Sequence, residues 1–256
     1  MATVADVLKT LTDFAPFDAK MDFDNVGHLV GSTTTRVTEL LVALDITSEV
    51  IDEAIELGAE LIVSHHPIMF SAKTVTNSTV VGRKLMKLVS NNISAICMHT
   101  NLDAAAGGVN DALAEALGLR NVDLIEPAPA YGRVGTLASP MPMREFLEHV
   151  KTRLNGRGLR YHNSGRAVSR VAVVGGSGGS YLERALELGF DTLVTGEAKY
   201  DVFLDARELG MNLIDADHFC TENVVVPKLH ALLSKAHGDV MCEISKTHGQ
   251  TARFYV

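Results

Sequence analysis

Two histidines stand side by side in LIVSHHPIMF, where an apolar run of strand character gives way to His65, His66 and Pro67. Neighbouring side chains on a strand point to opposite faces, so these rings can serve one site only where the strand has ended and the chain is turning. Pro67 marks such an end, because it has no N–H to give to a ladder. Farther along, DADHFCTEN places His218 four residues before Glu222. If Thr221 and Glu222 open a helix through NVVVPKLHALL, both side chains converge near its N-terminus, where a carboxylate sits well against the helix dipole. Pro227 then has to lie in the first turn.

Asp103, in MHTNLDAAAGGVND, admits two readings. It is a metal ligand, or it is a turn former beside Asn101, with Gly107 and Gly108 supplying positive φ and Asn110 or Asp111 capping the next helix. His99 is likewise open between a ligand and a ring packed behind the ligands. Together His65, His66, Asp103, His218 and Glu222 offer three neutral nitrogens and two carboxylates. That set suits two divalent ions of the Zn, Fe, Mn or Co kind with a carboxylate spanning them. Such a pair activates water and polarises a phosphoryl or carbonyl oxygen, which is hydrolytic chemistry. Glu197 and His99 are the candidates for proton transfer.

The elements that must hold these residues are visible as alternating patterns. ELLVALDI, SEVIDEAIELGA, ELIVSHH, TVVGRKLMKLVSNN and SAICMHT read as strand, helix, strand, helix, strand, the signature of an α/β fold on a mostly parallel sheet. The pattern recurs: RVAVVGGSGGSYLERALELGFDTLVTGE aligns with the first copy so that Ala54–Gly58 lies over Ala185–Gly189 and LIVSHH over TLVTGE. Two similar α/β lobes follow, expected at residues 1–125 and 126–256, with 127–129 as the connection and YGRVGTLASP as a strand entering the second. Ligands of such sheets gather at the carboxyl ends of the strands, where the polar residues above fall.

Composition narrows the function. The chain has 256 residues, 46% hydrophobic and 21% charged, so it can bury a large core and has little room for disorder. No apolar run approaches the roughly 18 residues of a membrane span, and the N-terminal stretch lacks the basic end and apolar middle of a signal peptide. A cytoplasmic protein without membrane partners is expected. The net charge of −8 counts against nucleic acid as a partner. Cys97, Cys220 and Cys242 have no metal-knuckle spacing and read as small buried hydrophobes. VGGSGGS lacks both the Lys-Ser/Thr ending of a P-loop and the GxGxxG spacing, leaving a flexible turn able to meet an anion.

The blocks APFDAKMDFDNVGHLVG, VSHHPIMF, MHTNLDAAAGGVND, YGRVGTL, VVGGSGG, TGEAKYD and DADHFCTEN, in this order, resemble the Nif-three-like dinuclear metal-centre proteins, usually labelled GTP cyclohydrolase 1 type 2 homologues. The resemblance implies that His65, His66, Asp103, His218 and Glu222 are the metal ligands, with Glu222 and Asp103 as bridging carboxylates. It also implies two similar α/β lobes facing each other across a dinuclear metal site, no inserted domain, and assembly into a homohexameric ring. Phe23 stands where this family usually has Trp, His28 where an apolar residue is usual, and Tyr200 where His is frequent. The label leaves the reaction open between hydrolysis of a small anionic substrate such as a nucleotide, metal binding or delivery without turnover, and a ring associated with nucleic acid.

Overall fold

Each apolar run becomes a short strand and each amphipathic stretch a helix, in a computed structural model that describes residues 1–71, 74–127 and 130–255. In chain order the elements are α1 (Val4–Phe14), β1 (Gly27–Val30), β2 (Glu39–Ala43), α2 (Ser48–Leu57), β3 (Leu61–Ser64), α3 (Val80–Ser90), β4 (Ser94–Cys97) and α4 (Thr100–Ala104). There follow α5 (Val109–Ala116), β5 (Arg120–Leu124), β6 (Arg133–Met141), α6 (Met143–Arg153), β7 (Arg160–His162), β8 (Val168–Val174), α7 (Leu182–Glu187) and β9 (Thr192–Thr195). The chain closes with α8 (Tyr200–Leu209), β10 (Asn212–Asp215), α9 (His218–Glu222), α10 (Val226–Ala236) and β11 (Met241–Ile244). No helix among the described residues is long and apolar enough to cross a membrane.

The chain divides into two units, Met1–Ala105 with Val226–Gly249, and Ala106–Val225 with Gln250–Val256. The position between residues 125 and 126 falls inside the second unit, and the connection expected at 127–129 lies partly outside the described residues. In the first unit the sheet order is β1-β4-β3-β2-β11, parallel except where β1 meets β4. In the second it is β5-β6-β8-β9-β10-β7, with β8, β9 and β10 parallel and the outer pairings antiparallel.

The internal repeat is thus β2-α2-β3-α3-β4 in one unit and β8-α7-β9-α8-β10 in the other. Its shared glycine has a physical reason: Gly58 and Gly189 both take left-handed φ, 76° and 79°, just past α2 and α7, a conformation that costs a side-chain-bearing residue more. Thr47 opens α2 by accepting the Val50 N–H, a cap worth about 1 kcal/mol. The strands β3, β4, β9 and β10 are buried throughout, as strands covered on both faces must be.

Around His218 the structure departs from the expected helix start. The helix opens at His218 itself, because Asp217 sits at φ 76° and its carboxylate accepts the Cys220 N–H. Pro227 belongs to the following helix, at the second residue of α10, where an N–H has no intrahelical partner to lose. Asn110 and Asp111 do not cap a helix either; both lie within the first turn of α5, whose cap is Gly108.

Candidate metal centre

In the first unit the pairings Ala43↔Ser64 and Ser64↔Cys97 level the ends of β2, β3 and β4. Two residues beyond those ends lie Asp45, His66 and His99, one from each strand. The ladder continues into these turns, with His66 N–H donating to Leu44 O at 2.9 Å and Met98 N–H to Ser64 O at 2.9 Å. His65 is fully buried, and its Nδ1 meets Met98 O at 2.9 Å. A carbonyl only accepts, so Nδ1 carries the proton and Nε2 keeps a lone pair. His66 Nδ1 meets Asp45 Oδ1 at 2.7 Å and His99 Nδ1 meets Asp24 Oδ1 at 2.8 Å, which fixes the same tautomer when the rings are neutral. Metal-binding histidines are typically held this way.

His65, His66 and His99 each offer a nitrogen within 4.8 Å of the others, and their ring centroids lie 4.9 to 5.6 Å apart. Asp103 joins them from α4, one turn after His99, with Oδ1 3.7 Å from His65 Nε2. The TNLDA segment is therefore a one-turn helix, and the Asn101 amide donates across to Ala15 O at 2.7 Å and, more weakly, to Met98 Sδ at 3.9 Å. Asp24 is buried, which raises the cost of its charge. Hydrogen bonds from His99 and from the Thr100 hydroxyl and N–H outweigh that cost and hold its carboxyl far below the usual range.

In the second unit Val174↔Thr195 and Thr195↔Asp215 level β8, β9 and β10 in the same manner. Here the residues two beyond the ends are Gly176, Glu197 and Asp217, with His218 next. His218 lies between two carboxylates, Nδ1 3.2 Å from Glu197 Oε1 and Nε2 3.0 Å from Glu222 Oε2. A neutral imidazole has one N–H, so one contact needs a further positive charge, a proton or a metal ion. Gly176, at φ 61°, makes the space: a Cβ there would fall 2.2 Å from Glu222 Oε1 and 3.2 Å from His218 Nε2. The donor set is nitrogen and carboxylate in both units and fits borderline divalent ions.

The structure therefore gathers His65, His66, His99 and Asp103 in one unit and His218, Glu222 and Glu197 in the other. Spacing alone missed Asp24 and Asp45, which orient two of the rings. Asp45 was findable, since it lies just past a strand end in LVALDI; Asp24 comes from a loop with no periodic signal. The cysteines pack: Cys97 Sγ donates to His65 O at 3.0 Å and burial pushes its thiol far up, while burial pushes Cys220 up to about 12. Phe23 is exposed and its ring lies 6.3 Å from that of Phe70, which in turn meets His99 edge-on at 5.8 Å.

A family model described as Duf34/NIF3 (NGG1p interacting factor 3) matches residues 2–251. A Clostridium perfringens protein named GTP cyclohydrolase 1 type 2 homolog is 37% identical over 249 residues, 94% of this chain and 95% of its own. Among solved structures, a Bacillus cereus protein related to NIF3 superposes with a TM-score of 0.94 at 25% identity, over 100% of this chain and 99% of that one. Reduced HcgD from Methanocaldococcus jannaschii gives 0.84 at 29% identity, over 96% and 98%.

Proposed function

Because the chain belongs to the Duf34/NIF3 family, we propose that it is a dinuclear metal-dependent hydrolase acting on a small anionic substrate such as a nucleotide. One observation carries the reading: His65 and His66 each commit Nδ1 to an oxygen acceptor and so present Nε2 as the donor atom. The ligands in this reading are His65, His66, Asp103, His218 and Glu222, with Asp103 and Glu222 as the bridging carboxylates. The name carried by curated relatives, GTP cyclohydrolase 1 type 2 homolog, supports a nucleotide-like substrate. When bound, two divalent ions supply Lewis acidity, which lowers the pKa of water and polarises a phosphoryl or carbonyl oxygen.

The side chains of the protein do the rest. Asp45 and the Met98 carbonyl keep the rings of His66 and His65 aimed, so no ordering cost falls on the reaction. Asp24 holds the Nδ1 proton of His99, leaving Nε2 to take up a proton. Glu197 fixes His218 through Oε1. Assembly as a homohexameric ring belongs to the same proposal, as does the absence of nucleic acid among the partners. The test is turnover on a panel of nucleotides and phosphoesters by protein loaded with Zn, Mn, Fe or Co. Hydrolysis that vanishes with chelation supports the proposal; two bound ions with no turnover on any substrate would point to metal binding or delivery instead.

A further inference from the structure

The second unit holds a cavity of about 270 Å³ at the carboxyl ends of β9 and β10, lined by Arg160, Glu197, Asp215, Asp217, His218 and Phe254 among others. We propose that it binds the planar heterocycle of the substrate along an edge that presents an N–H beside a C=O. This deepens the hydrolase reading and rests on it, by naming the part of the substrate that this wall recognises.

Arg160 is a prearranged donor. Its Nη2 donates to Asp215 Oδ2 and, at 2.8 Å, to Ala198 O, and its guanidinium lies 5.3 Å from the centre of the Phe203 ring. With one side pinned, Nη1 and Nε make no hydrogen bond to a described residue and are left for a ligand carbonyl. Glu197 is the acceptor: Oε1 faces His218, and the side chain is 60% exposed, so Oε2 can receive a ring N–H.

The third wall is flat and apolar. Phe254 lies on Gly158, where a Cβ would come within 2.9 Å of the ring, so the glycine lets the ring rest on backbone. Phe254 as a residue is 40% exposed, which leaves its ring available for stacking.

Charge favours an uncharged group in this cavity over the anionic end of the substrate. Asp215 is committed to Arg160 and to the N–H groups of Ala198 and Asp217. Asp217 is committed to Cys220 N–H and Gln250. Among the side chains of the cavity itself, three carboxylates against one guanidinium repel an anion but not a neutral ring, so the anionic end is left to the metal ligands His218 and Glu222 of the proposed centre. The volume sits just under the roughly 300 to 1,000 Å³ of typical ligand pockets, enough for one ring system.

Calorimetric titration of purified protein, with and without chelator treatment, tests this using uridine, guanosine and their ring-N-methylated derivatives. The expected result is binding of both nucleosides, and affinity lower by roughly ten- to a hundred-fold once the ring N–H is methylated. Phe254→Ala should weaken both nucleosides about tenfold or more, with Phe254→Tyr restoring them. Glu197→Gln, which keeps an oxygen toward His218 and turns an N–H₂ toward the ring N–H, should abolish the preference for the unmethylated ring. Metal content, measured on every variant, separates this from the metal proposal: lost nucleoside preference with unchanged metal content assigns the effect to the cavity. Equal affinity for methylated and unmethylated rings, or an unchanged affinity in Phe254→Ala, would overturn the assignment, whatever the metal content or turnover.

Discussion

The contact between His66 Nδ1 and Asp45 Oδ1, 2.7 Å long, decides which nitrogen of His66 faces a ligand. Asp45→Ala leaves the ring free to rotate and to exchange tautomers, and should lower apparent metal affinity roughly 10- to 100-fold. Asp45→Asn keeps an oxygen acceptor and should lose less, and competition against a chromophoric chelator reads both. Replacing the rings themselves is a harsher change. His65→Ala and His66→Ala should each lose about one ion per chain while the fold survives, because β3 is held by the apolar side chains Leu61, Ile62 and Val63. Full retention of both ions by either variant would show that the ring is not a ligand. Neutral imidazole is the binding form, so protons compete with the metal and acidification should release it from the wild type.

At the scale of the element, the turn after β8 shows what can and cannot be read from residue types. The repeat itself was legible, since strand, helix and glycine recur at fixed offsets, and the histidine pair was legible because polar residues rarely interrupt so apolar a run. VGGSGGS gave only a flexible turn. Its purpose is set by Glu222, whose carboxylate occupies the place where a side chain on Gly176 would go, and no local pattern announces a neighbour 46 positions away. The start of α9 was misplaced for a similar reason. Asp217 takes φ 76°, a conformation that is open to Asp but not dictated by its neighbours. Gly176→Ala should therefore cost about 1 to 3 kcal/mol from the left-handed backbone and the clash. It should also depress metal content more than Gly189→Ala, whose φ is equally positive but whose nearest neighbour is an arginine tip at 3.7 Å. Equal metal content in the two variants would mean that the space at Gly176 serves the backbone alone.

The whole molecule contains one arrangement that pattern reading had no means to find. The C-terminal β11 returns to pair with β2, Met241 opposite Glu39, and so joins a unit that a simple division into halves assigns elsewhere. Assembly is equally illegible from residue patterns and comes from the family resemblance; light scattering should give a mass near six chains, and a monomer at micromolar concentration would remove the ring. The returning segment is fastened by Glu53, a carboxylate 8% exposed on α2. It accepts the Ser245 hydroxyl at 2.5 Å, the Lys246 N–H at 2.8 Å, and the Thr247 N–H and hydroxyl at 3.1 and 2.7 Å. Burial raises the cost of the charge, but these donors outweigh it and lower the pKa of Glu53. Because the folded value lies below the unfolded one of about 4.3, the carboxylate stabilises the fold above that pH. The contribution is lost as pH falls through the folded pKa. Glu53→Gln keeps the shape, gives up the charge and turns an N–H₂ toward donors, at a cost of about 2 kcal/mol at neutral pH. Denaturant midpoints measured at pH 7 and at pH 3 should show the gap between variant and wild type narrowing in acid. A gap of the same size at both pH values would mean that the charge of Glu53 contributes nothing to holding β11 in place.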